Sequence, residues 1–90
     1  MFKRILHSML RVGDLQASID FYTQALGMTV LRTHNNTEAQ YNLVFLGYQP
    51  ESAAAVLELT YNQGTHHYQH GNGFGHIAAE VEIARRPATG

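Results

Sequence analysis

The sequence contains no cysteine, so no disulfide can hold the chain together, and that absence fits a reducing cytoplasm. No apolar run is long enough to suggest a membrane span. His7 and Ser8 arrive too early after the N-terminus to leave room for the apolar stretch of a secretion signal. An excess of one charge is missing as well: six Lys and Arg face seven Asp and Glu, and no basic stripe suggests a nucleic-acid partner. There is neither an internal repeat nor a low-complexity segment. These absences leave a soluble, intracellular protein as the expectation. What is present is 90 residues, enough for one small domain. Such a chain buries only somewhat more than roughly 60% of its unfolded surface. Without disulfides, a scaffold of this size recruits a metal or a partner chain for stability.

Hydrophobic patterning supplies the elements. Residues 4–12 alternate as a strand, with Leu6, Leu10 and Val12 on one side and Ile5, His7, Met9 and Arg11 on the other. Gly13 breaks it, and Asp14 is suited to cap the helix that follows. Leu15, Ile19, Tyr22 and Leu26 recur at helical spacing, and Gly27 stands where a glycine closes a helix, which predicts a helix over 15–26. Residues 28–34 and 40–46 read as two further strands around the turn-rich Asn35-Asn36-Thr37. A loop containing Pro50 leads to a fourth strand over 54–61, with Leu57, Leu59 and Tyr61 opposite Val56, Glu58, Thr60 and Asn62. The polar stretch 62–73 follows, and 75–83 reads as a fifth strand that must pair with this sheet or another chain, or stay disordered. The expected organisation is an α+β module, strand-helix-strand-strand-strand, plus the first strand of a second, over residues 1–83. Residues 84–90 lack apolar periodicity and are expected to form a disordered tail.

Three residues stand out chemically. His7 sits between Ile5 and Met9 on its strand face and needs either a hydrogen-bond partner or a metal. Glu58 is the one charge in Ala54-Ala55-Val56-Leu57-Glu58-Leu59-Thr60-Tyr61. A buried carboxylate must be neutralised, paired or bound to a cation, whereas one on the wet face of an antiparallel sheet needs nothing. His76, after Gly73-Phe74-Gly75, carries the same two readings as His7. Together they supply two imidazoles and a carboxylate, a donor set suited to zinc, nickel, iron or cobalt, though only the fold could unite residues so far apart. His66, His67 and His70 read as part of a solvated loop, and His34 receives no role. The glycines of Gly71-Asn72-Gly73-Phe74-Gly75 do not join a strand to a helix, which excludes a dinucleotide-binding turn.

Several segments carry a family resemblance. Met9-Leu10-Arg11-Val12-Gly13-Asp14-Leu15, Ser18-Ile19-Asp20-Phe21-Tyr22 and Leu26-Gly27-Met28 resemble the opening of the glyoxalase I family. So do Leu57-Glu58-Leu59-Thr60-Tyr61-Asn62 and Gly75-His76-Ile77-Ala78, in the same order along residues 6–81. That family belongs to the vicinal-oxygen-chelate group, whose βαβββ modules form cupped sheets around a metal.

The resemblance implies a lactoylglutathione lyase: a metal-dependent isomerisation of the methylglyoxal–glutathione hemithioacetal to S-lactoylglutathione, which detoxifies methylglyoxal. It implies metal ligation by His7, Glu58 and His76, with Glu58 also one of a pair of catalytic carboxylates. The family's fourth ligand, a second-module glutamate usually given the leading role as base, has no counterpart here. A truncated, inactive chain is therefore one expectation. Arg11 and Asn62 match residues that contact glutathione, while an arginine found in some members is Asn72 here. The chain is similar to the compact bacterial type, which implies Ni2+ ahead of Zn2+ or Co2+, and a homodimer sharing its metal sites between subunits. The rival expectation is a non-catalytic module of the same fold that binds a metal or small ligand.

Overall fold

The computed structural model describes residues 1–82. Four strands and one helical segment follow the order β1 (His7–Arg11), α1 (Leu15–Asp20, continuing as a π-helical turn over Phe21–Ala25), β2 (Thr29–Asn36), β3 (Tyr41–Gly47), β4 (Val56–Asn62). The strands form one sheet in the order β1-β4-β3-β2. β1 runs parallel to β4, as a helical crossover requires, and the other pairs are antiparallel.

Local chemistry explains the helix. The Asp14 carboxylate accepts from the Ala17 amide at 3.0 Å, satisfying one of the free amides of the first turn. Near the other end, the Thr23 hydroxyl donates to the Ile19 carbonyl at 2.8 Å and competes with the backbone ladder. The Leu26 amide then reaches back five residues to the Phe21 carbonyl at 3.3 Å, which widens this turn beyond the α-helix expected over 15–26. Gly27 closes the segment at φ +71°, and the Met28 amide returns to the Tyr22 carbonyl at 3.0 Å.

Strand boundaries shift slightly. β1 is shorter than expected, although flanking bonds from Val56 N–H to Leu6 C=O and from Val12 N–H to Thr60 C=O extend its pairing by a residue at each end. β2 runs on through Asn35 and Asn36, which sequence reading placed in the turn, because Asn42 Nδ2 donates across the ladder to Asn35 Oδ1 at 2.7 Å. The turn begins two residues later, over 37–40, and Gln40 takes the left-handed conformation at φ 59°.

The two sheet faces differ. Val44, Leu46, Leu57 and Leu59 are buried under Leu15, Ile19 and Tyr22 of the helical segment, with Leu10, Val12 and Met28 at the margins. The opposite face carries Phe45, Glu58 and Thr60 on the central strands, with His7, Met9, Arg11 and Arg32 on the flanking ones. The expected fifth strand over 75–83 is not formed: residues 75–82 are irregular and exposed, because no neighbouring strand supplies the ladder that would fix them. Ile83 and the expected tail lie outside the described residues. Among the described residues, no helix is long and apolar enough to cross a membrane.

Candidate metal centre

His7 opens β1 and Glu58 lies mid-β4, two residues out of register, since His7 pairs with Val56 and Met9 with Glu58. Alternation puts both on the face away from the helix. Their side chains converge: His7 Nε2 stands 3.2 Å from Glu58 Oε1. Glu58 retains only 12% of its side-chain exposure, against 40% for His7. The carboxylate is therefore largely shielded on the sheet face away from the helix, and the reading of Glu58 as an outward, solvated residue does not hold.

Neighbours orient both groups. The Thr60 hydroxyl donates to Glu58 Oε2 at 2.9 Å, leaving Oε1 turned towards the imidazole. The Phe45 ring, 3% exposed, stands nearly perpendicular to the His7 ring with centroids 5.6 Å apart. Arg32 lays its guanidinium 3.7 Å above the Phe45 centroid and binds Glu51 through Nε at 2.7 Å and a second nitrogen at 3.3 Å. This ion pair lowers the Glu51 pKa and raises that of Arg32, the hydrogen bond between them being the leading cause in each case.

Two adjacent ligands on one divalent ion, with bonds of about 2.1 Å, lie about 3 Å apart. The His7–Glu58 separation therefore suits cation binding as well as a direct hydrogen bond. The donor set fits: an imidazole nitrogen and a carboxylate oxygen, the latter's second oxygen already engaged. The structure does not bring His76 to them within the chain. Among the described residues, no three His, Cys, Asp or Glu side chains converge as a metal site. His76 lines instead an open cleft of about 1400 Å3 that takes in Met9, Leu10 and Phe21, and its segment lacks the strand pairing that would aim it.

Arg11 is exposed on the Glu58 face, directly across from Thr60, and Asn62 ends β4 half-buried with its amide near the Tyr68 hydroxyl at 3.3 Å. The loop after β4 is seated on the β1–α1 turn, where His66 Nδ1 meets the Gly13 carbonyl at 2.9 Å. A Cβ on Gly13 would lie 2.0 Å from the His66 carbonyl oxygen, so this contact requires glycine. His66 is thus exposed, as a solvated loop residue should be, yet anchored.

Sequence reading missed Phe45 and Arg32 as neighbours of the site, since their approach to His7 depends on the β3–β4 and β2–β3 registers. Thr60 carried a signal, sharing a strand face with Glu58 at a spacing of two residues.

A family model described as "Glyoxalase/Bleomycin resistance protein/Dioxygenase superfamily" matches residues 4–86. Lactoylglutathione lyase of Escherichia coli O157:H7 is 59% identical over 81 residues, covering 90% of this chain and 60% of that protein. A probable lactoylglutathione lyase of Vibrio cholerae is 61% identical over 79 residues, covering 88% of this chain and 57% of that protein. Among solved structures, the trypanothione-dependent glyoxalase I of Leishmania major superposes with a TM-score of 0.86 at 57% identity, covering 90% of this chain and 58% of that one. Glyoxalase I from Zea mays gives a TM-score of 0.79 at 45% identity over 81% of this chain and 26% of that one. The chain thus spans about 60% of the length of the bacterial relatives it matches.

Proposed function

The chain belongs to the glyoxalase/bleomycin resistance protein/dioxygenase superfamily, and from that premise we propose that it carries the first-module half of a lactoylglutathione lyase site. The reaction is the isomerisation of the methylglyoxal–glutathione hemithioacetal to S-lactoylglutathione. The observation that carries this reading is the half-buried Glu58 carboxylate held 3.2 Å from His7 Nε2, with Arg11 on the same sheet face.

His7 and Glu58 are the ligands this chain contributes from one side, and His76 joins them from a partner copy in a homodimer. Two features support a shared site: the imidazole of His76 stays apart within one chain, and Leu6, Met9, Phe74, Ile77 and Val81 leave much apolar surface open. When bound, the divalent ion supplies Lewis-acid stabilisation of the negative charge that develops on the substrate oxygens. Nickel is our first choice, with zinc and cobalt next.

In this reading Glu58 is one of a pair of carboxylates, the second-module glutamate being the other, that move a proton from the carbon bearing sulfur to the neighbouring carbon, so the reaction is a net isomerisation without a redox partner. The Thr60 hydroxyl holds Glu58 Oε2 and fixes which carboxylate oxygen faces the substrate. Arg11 presents a planar guanidinium, suited to pairing a glutathione carboxylate through two hydrogen bonds. Asn62, further along the β4 face, offers an amide to the same ligand. Cytoplasmic location is part of this reading, in keeping with the thiol co-substrate.

Nickel titration by calorimetry tests the site. Heat is expected for the native chain and none after His7→Ala; no heat at all, or equal heat in both, removes the proposal. Glutathione-dependent loss of hemithioacetal absorbance then tests the reaction. The binding-module alternative predicts saturation by the thiol ligand without turnover.

A further inference from the structure

We propose that Arg32 is a positioning residue for the metal-binding imidazole, acting through the Phe45 ring. The inference rests on the proposed site and extends it two strands across the sheet. Glu58, Phe45 and Arg32 lie in one register row over β4, β3 and β2. The guanidinium covers the Phe45 ring at 3.7 Å, and the His7 ring stands at 82° to that same phenyl group. A phenyl ring fixed by a cation on its face has little freedom to rotate, and the imidazole beside it is confined in turn. The imidazole orientation beside this stack is the one that holds His7 Nε2 3.2 Å from Glu58 Oε1.

Arg32 is itself held. The Glu51 carboxylate takes two of its nitrogens, so the guanidinium plane is set by a fork rather than by stacking alone. The Glu51 backbone carbonyl accepts from the Arg4 guanidinium at 2.7 Å, which ties the loop between β3 and β4 to the segment leading into His7. The chain of contacts starts and ends beside the same strand. Arg32 lies on an edge strand with 52% of its side chain exposed, so its replacement leaves the buried core in place.

The test uses the full 90-residue chain in two states. In the metal-free chain, the ring protons of His7 are followed by NMR in Arg32→Met, Arg32→Lys and Glu51→Gln, with the ring of His67, exposed in the loop after β4, as internal reference. All three variants are expected to move the His7 signals while leaving those of His67 in place and the backbone amide pattern of β3 and β4 intact. Nickel affinity is then expected to fall about tenfold in Arg32→Met, the lower range for losing a group behind a ligand. Arg32→Lys should resemble Arg32→Met, because an ammonium keeps the charge and loses the flat stack and fork. Unmoved His7 signals, or native nickel affinity in Arg32→Lys, overturn the inference. A native chain that takes up no nickel would instead overturn the proposed function, while the metal-free spectra still decide the role of Arg32.

Discussion

The two faces of β4 are built from alternate residues of one short segment and obey different physics. Leu57 and Leu59 enter a dry aliphatic layer beneath the helix, where shape and volume decide the energy. Glu58 and Thr60 enter the opposite face, where each polar atom needs a partner and each partner sets an angle. The buried apolar core lies on one face and the proposed metal site on the other, so substitutions one residue apart should separate the two. Leu59→Ala breaks the comparison most severely. The side chain is fully buried, and its truncation is expected to cost about 2–5 kcal/mol in urea unfolding. A loss below about 1 kcal/mol, outside the range for buried leucines, would mean that the helix does not cover this face.

Thr60→Val tests the other face. It keeps the volume and removes the donor to Glu58 Oε2. Unfolding should become easier by only about 1 kcal/mol, while nickel affinity drops about tenfold as the carboxylate loses its orientation. Unchanged affinity measured by calorimetry would show that Thr60 does not aim Glu58.

A smaller effect belongs to the turn that joins the faces. Asp14→Ala removes the side-chain acceptor of the Ala17 amide and should cost about 1 kcal/mol. Loss confined to helical signals at 222 nm, with nickel binding retained, would assign Asp14 to the helix alone. Asp14→Asn should restore most of the stability, since an amide oxygen caps almost as well.

Legibility in the sequence followed how local each determinant is. The Asp14 cap, the Gly27 closure and the alternation in β4 are set by neighbouring residues, and the structure places them as expected. The π-turn at Phe21–Ala25 was not legible from apolar spacing, because it is made by a threonine hydroxyl taking a backbone carbonyl. Asn35 was assigned to a turn on residue type, yet a cross-strand amide bond holds it in β2. For the site, the face shared by His7 and Arg11, and by Glu58 and Thr60, could be read from period-two alternation. The approach of His7 to Glu58 needed the parallel register, and the stack of Arg32 on Phe45 needed two further registers. Residues 75–82 show the limit most clearly: their alternation is strand-like, but pairing with something else decides whether a strand exists.

The mildest expected effect is a pH dependence of the Arg32–Glu51 pair between β2 and the loop that follows β3. Hydrogen bonding to Arg32 lowers the Glu51 pKa below the ordinary carboxylate value. A carboxylate depressed in the fold binds fewer protons than in the unfolded chain, so its contribution is fully present above the unfolded pKa. That contribution is lost as pH falls through the lower, folded value. Arg32 is shifted upward by the same contact and keeps its charge across this acid window, so only Glu51 titrates there. The pair is exposed to solvent, and screening keeps its effect small. The difference in thermal midpoint between the native chain and Glu51→Gln should therefore be positive near neutral pH and shrink towards zero on acidification. Taking the difference cancels contributions common to both chains. A difference that is constant with pH would mean that the Arg32 fork does not persist in solution.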